Sequence, residues 1–150
     1  MKNFIYVLIT ATFLFNQDYS LSFDGDDYID VGDNATYDFG STLSIEAWIK
    51  PSSLSARHGI FTTRRYNDDN SFQLEVGTYN TSFGNRTNYV AITGLGTWFA
   101  LTGDNAISLD QWNHIVFTRN GQSDNGSIYV NGVAQEINSS NSNYQFNNND

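Results

Sequence analysis

The chain has no cysteine, a single proline at Pro51, two histidines, and seven basic residues against sixteen acidic ones. Without cysteine there is no disulfide framework, and two histidines far apart (His58 and His114) give no zinc signature. A formal charge of −9 argues against nucleic acid or an anionic membrane surface as partner, while leaving room for a cation. No apolar stretch is long enough for a spanning helix. The longest, the 12 residues from Phe4 to Phe15, falls well short of a bilayer, so no membrane insertion is expected. A 3.6-residue apolar period is absent beyond that stretch, and so are a P-loop, a dinucleotide fingerprint and a Gly-x-Ser-x-Gly elbow.

What is present begins with that apolar run. Lys2 ahead of Phe4 to Phe15 reads as a signal peptide over residues 1–16, with the mature chain starting at Gln17. The competing reading is a buried first strand. Export without cysteine fits a secreted or cell-surface protein of a bacterial envelope. Residues 17–137 are enough for one domain with a real core. Residues 138–150 (NSSNSNYQFNNND) form a polar, low-complexity tail, expected to be loop or disorder. Five Asn-x-Ser/Thr sequons, at Asn34, Asn80, Asn85, Asn125 and Asn138, are what a chain this rich in Asn, Ser and Thr carries by chance.

The apolar period is 2 almost everywhere, which is the period of a strand with one buried face. Strands are expected at Tyr19–Phe23, Tyr28–Val31, Leu43–Lys50, Gly59–Arg65, Ser71–Gly77, Tyr89–Thr93, Thr97–Thr102, Asn113–Arg119, Ser127–Val130 and Val133–Ile137. Leu43, Ile45, Ala47 and Ile49 point to the core, and Ser44, Glu46, Trp48 and Lys50 away from it. Asn131-Gly132 between alternating apolar runs is a strong hairpin signal, because both turn residues need positive φ. Short strands separated by turn residues indicate an all-β antiparallel sandwich or barrel.

Five phrases follow one another in a telling order: Ser20-Leu21-Ser22-Phe23-Asp24-Gly25, Asp27-Tyr28-Ile29-Asp30-Val31, Leu43 to Pro51 (LSIEAWIKP), Trp112 to Phe117 (WNHIVF), and Ile128 to Val133 (IYVNGV). From Tyr19 to about Ile137 the chain resembles a laminin-G-like jelly-roll domain of the concanavalin A-like lectin/glucanase superfamily. The resemblance implies an antiparallel jelly-roll sandwich. It leaves activity open, since the superfamily holds lectins, glycan-cleaving enzymes, adhesion modules and calcium-dependent binders. Similar domains continue past the point matching Ile137 with a glycine-containing strand and a last strand that lies beside the first. Those phrases are missing here, so a C-terminally incomplete domain is expected, with an unpaired strand edge.

Three groups of residues carry candidate chemistry. Asp24, Gly25, Asp26 and Asp27, with Asp30 and Asp33 after them, offer oxygen ligands of the kind a structural calcium takes, and the resemblance implies a calcium near this turn. The alternative is a solvated acidic turn. Glu46, Trp48, Gln73, Glu75 and Trp98 share the outward parity. With Tyr89, Arg64 and Arg65 nearby they would make a carbohydrate platform, indole rings stacking on sugar C–H faces while carboxylates and amides bind hydroxyls. The alternative is second-layer packing under loops. His114 is expected to be half-buried and bonded to a loop, and His58 to lie in one. Retaining or inverting glycosidases need two suitably spaced carboxyls. Glu46 is followed on its face by Trp48 and Lys50, and Glu75 is flanked by Gln73 and Gly77, so no catalytic pair is written. The expected function is non-catalytic recognition of a glycan, or of a cell-surface protein, either alone or as an accessory to a glycan-active enzyme.

Overall fold

The computed structural model describes residues 20–32, 42–63, 72–81, 84–94, 97–121, 124 and 126–138. The expected signal segment, the 139–150 tail, Asp33, Arg64 and Arg65 lie outside the described residues. The chain divides into two units, Met1–Asp33 and Asn34–Asp150.

In the second unit the described elements are eight strands: β1 (Thr42–Ile49), β2 (Arg57–Thr62), β3 (Phe72–Thr81), β4 (Gly84–Gly94), β5 (Thr97–Leu101), β6 (Asn113–Asn120), β7 (Ser127–Val130) and β8 (Val133–Ala134). They form two antiparallel sheets, ordered β1-β6-β7-β8 and β2-β3-β4-β5. The expected jelly-roll sandwich is thus what the chain builds. Between the sheets lies one core. Leu43, Ile115, Phe117, Ile128 and Val130 come from the first sheet, and Phe72, Leu74, Val76, Val90, Ile92 and Ala100 from the second. Leu54 and Ile107 close it from the connections. A fully buried side chain of this kind contributes about 1.5–3 kcal/mol, so period-2 placement of these residues is what drives the two sheets together.

The turn at Asn131-Gly132 has both residues at positive φ, 52° and 79°, as the hairpin between β7 and β8 requires. Gly126, at φ +81°, sits against Phe117, and a Cβ there would stand 2.3 Å from that ring. Asn138 is not loose. Its N–H donates to the Leu101 carbonyl at 2.8 Å, which ties the start of the polar tail to β5.

The first unit departs from expectation. Leu21–Phe23 and Tyr28–Val31 are not strands. A strand exists through its ladder, and this segment's recorded bonds are local: Asp24 N–H to Asp27 Oδ2 and Gly32 N–H to Asp30 Oδ1. Leu21, Phe23, Tyr28, Ile29 and Val31 are all exposed. Alternation alone does not make a strand where the described residues give it no ladder.

Candidate functional site

The outward residues expected to share one platform are split between the two sheets. Glu46 and Trp48 stand on β1 in the first sheet, while Gln73 and Glu75 stand on β3 and Trp98 on β5 in the second. The outer faces of a sandwich point in opposite directions, so these five do not form one surface. Parity fixes which side of its own sheet a residue takes, and says nothing about which sheet that is.

On the second sheet the middle of the outer face is itself buried. Glu75 and Tyr89 are both wholly inaccessible, and Tyr89, Ala91 and Leu101 form a second apolar cluster with Tyr79 packed against it. This corrects the expectation that Glu75 and Tyr89 line a ligand surface. They are partners in a closed polar network. The Tyr89 hydroxyl donates to Glu75 Oε1 at 2.7 Å, and Arg57 donates from Nε and Nη2 to Glu75 Oε2 at 3.2 and 2.6 Å. The Arg57 guanidinium also lies over the Tyr79 ring, 5.3 Å from its centroid. A buried carboxylate is tolerated because its oxygens are bonded and its charge is matched. Gln73 is half-buried beside it on β3. The backbone of Trp98 pairs with that of Thr93.

Burial pushes the Tyr89 hydroxyl well above its ordinary value of 10.0, and its bond to the Glu75 carboxylate pushes the same way, with Arg57 pulling back. The folded chain therefore holds this proton more tightly than the unfolded chain. The resulting stability is complete below about pH 10 and is lost as pH rises beyond it, where unfolded tyrosine ionises and folded Tyr89 does not. In denaturant melts above pH 10, Tyr89→Phe is expected to flatten the fall of stability by up to about 1.4 kcal/mol per pH unit. An unchanged slope would show that Tyr89 ionises as freely folded as unfolded.

The first sheet presents the open face. β1 pairs with β6 so that Trp48 lies opposite His114 and Glu46 opposite Val116, and β6 pairs with β7 so that Val116 lies opposite Tyr129. Trp48 is 63% exposed. Its indole stacks on the His114 imidazole, with ring centroids 4.6 Å apart and planes 15° from parallel. Glu46 Oε2 stands 3.6 Å from His114 Nε2, and the Glu46 side chain is 75% exposed. The backbone N–H of His114 donates to Asn131 Oδ1 at 2.8 Å, so the tight turn after β7 also steadies this strand position. His114 is half-buried and bonded to a turn, as expected, and it is in addition the cross-strand partner of Trp48, which was not expected. His58 lies on β2, opposite Val76. Trp112, just before β6, is exposed as well. His114 was not recognisable as part of the site because the link is register, and register between β1 and β6 is not written in either strand alone.

The acidic turn belongs to the first unit. Asp24, Asp26 and Asp27 are exposed, and one carboxylate oxygen from each falls within 4.8 Å of the others. Gly25, at φ +120°, makes the bend that gathers them. Three hard oxygen donors with one backbone N–H already bonded to Asp27 are the donor type calcium takes.

Two facing antiparallel sheets around an apolar core define a β-sandwich. The laminin-G-type family model described as the concanavalin A-like lectin/glucanases superfamily matches residues 23–150, and the chain belongs to that superfamily. Comparison with curated proteins and with solved structures gives no match. Membership defines a fold used for binding carbohydrate or protein, in a superfamily that also contains glucanases and whose members often hold calcium. Among the described residues no helix is long and apolar enough to cross a membrane.

Proposed function

We propose that the chain is a secreted or cell-surface, non-catalytic module that recognises glycan through Trp48, His114 and Glu46. The observation that carries this reading is an indole 63% exposed on a sheet face and held upright by a stacked imidazole, with a carboxylate beside it. An exposed indole backed by a second ring and flanked by a carboxylate offers the apolar wall and the polar group that ligand sites combine. A binding role is favoured over hydrolysis because Glu46 has Ser44 and Trp48 as strand neighbours and Val116 across the ladder, with no acid at those positions to complete a pair. Export rests on the 1–16 segment. On a glycan array, the wild-type chain is expected to bind a subset of glycans, and Trp48→Ala to weaken that binding at least about tenfold, near 1.4 kcal/mol. Binding that survives Trp48→Ala overturns the site. Failure to bind any glycan favours the protein-contact role.

The same reading includes a structural calcium at Asp24, Asp26 and Asp27, which would order the acidic turn. Calorimetric titration of calcium into the full chain is expected to show one saturable site that Asp26→Asn weakens at least about tenfold. Absence of saturable heat leaves a solvated turn.

A further inference from the structure

Trp48, His114 and Glu46 are held to one another unequally, and the difference turns on one proton. The backbone of His114 is fixed through both of its polar groups. Its N–H donates to Asn131 Oδ1 at 2.8 Å, and its carbonyl accepts the Asn131 N–H at 2.8 Å. Its ring lies flat against the indole. Glu46 is not held in this way. Its side chain is 75% exposed, and Oε2 stands 3.6 Å from His114 Nε2. That is within ion-pair range and too long for a hydrogen bond. A neutral imidazole offers the carboxylate no charge. An imidazolium offers a charge and an N–H at Nε2, since both ring nitrogens are donors in that form.

Protonation therefore acts on both things the site presents. The carboxylate moves onto Nε2 and is withdrawn from any ligand hydroxyl. The indole gains a cation against its ring, which draws on the π-electron density it would otherwise offer a ligand. For an uncharged ligand the two effects have the same sign. Glu46 and Trp48 face His114 from β1, Trp112 and Val116 flank it on its own strand, and Asn131 and Tyr129 stand on the β7 side. Among these described neighbours Glu46 is the one charged group, while Lys50 and Asp110 are exposed beyond the ends of β1 and β6. Between about pH 5.5 and 7.5 histidine is the side chain that changes charge, and the chain has two. The other, His58, stands on β2 in the second sheet.

We infer that protonation of His114 draws Glu46 and Trp48 onto the imidazolium, so that the Trp48 face holds its ligand while His114 is neutral and loses affinity as His114 gains a proton. This rests on the glycan reading above and adds a pH control to it. By reciprocity, binding of the ligand expels that proton.

Tryptophan emission reads the first half without any ligand. A stacked imidazolium quenches an indole, so the full chain is expected to lose emission in one step as pH falls from about 7.5 to 5.5. His114→Gln and Trp48→Phe are expected to remove the step, and His58→Gln to keep it, with melts showing that each variant is folded. Affinity for the glycan bound most tightly on the array reads the second half. It is expected to fall at least about threefold over the same range in the wild-type chain and in His58→Gln, and to stay flat in His114→Gln. Calorimetry of the wild-type chain in two buffers of different ionisation enthalpy is expected to show proton release on binding near the midpoint of the emission step. No emission step, an equal fall of affinity in His114→Gln, or glycan binding without proton release overturns the inference and leaves glycan recognition standing. An emission step with no glycan bound at any pH overturns the glycan reading and leaves the protonation-driven closure in place.

Discussion

Arg57→Ala is expected to lower the unfolding free energy by about 3 kcal/mol, a fall of roughly 10 °C in melting temperature. The cause is the carboxylate left behind. Glu75 is wholly buried, and Arg57 supplies both the hydrogen bonds to one of its oxygens and the charge that balances it. Removing one partner of a buried pair costs about 3–5 kcal/mol, because the survivor keeps its desolvation penalty and loses its compensation. The lower end applies here because the Arg57 side chain is 38% exposed, so its loss opens a path for water toward Glu75. Tyr89 still donates to Oε1, which holds one oxygen but brings no charge. The expectation reverses when the whole network goes. Arg57→Leu, Glu75→Leu and Tyr89→Phe together are expected to recover most of the loss, since a well-packed apolar replacement of a buried ion pair is often neutral or better. Denaturant melts of the single and triple variants check both halves. A triple variant no more stable than Arg57→Ala would show that the network does more than satisfy its own charge.

That network shows where sequence reading succeeds and where it stops. Alternation placed Glu75 on the outer side of β3 correctly. Outer was then equated with solvated, and this fails for the second sheet. The sign was available on β4, where Tyr89-Val90-Ala91-Ile92 is an unbroken apolar run, the pattern of a strand covered on both faces. β1 reads differently, with Ser44, Glu46 and Trp48 between apolar residues, and its outer face is the wet one. The eight strands were legible in place from period 2 and turn residues, but not in extent, since β2 starts at Arg57 rather than Gly59, β4 at Gly84 rather than Tyr89, and β8 ends at Ala134 rather than Ile137; the β7–β8 turn was legible from Asn131-Gly132 alone. Pairing was not. Nothing local places Trp48 opposite His114, because register is set by which strands meet and by how the hydrophobic sets align when they do. Leu21 to Val31 makes the converse point. It has strand composition, yet among the described residues it joins no ladder, and its apolar side chains are exposed.

Gly77→Ala is expected to be the most damaging single methyl among the described glycines, at about 4 kcal/mol. Two costs add. Gly77 has φ of +136°, a region open to glycine and strained for any L side chain. A Cβ there would also stand 1.9 Å from the Ala56 carbonyl oxygen and 2.9 Å from its carbon. These are backbone atoms, and they are held in place, since Thr78 N–H donates to that same carbonyl at 3.2 Å. The relief is to move Ala56 and the start of β2 away from β3, on a strand whose ladder to β4 on its other side already slips between Gly77 and Tyr79. Such a movement carries Arg57 with it, because Arg57 is the register partner of Gly77. The Arg57 bonds to Glu75 then lengthen, and the clash is passed to the buried pair. Gly77→Ala and Arg57→Ala should therefore be strongly non-additive, the double variant losing clearly less than the sum of the two. Gly103→Ala is the control. No atom lies within 4 Å of a Cβ there, and its effect is expected to stay within about 0.5 kcal/mol. Additive losses for Gly77→Ala and Arg57→Ala would mean that β2 absorbs the methyl without disturbing the ion pair, and that the glycine serves the bulge alone.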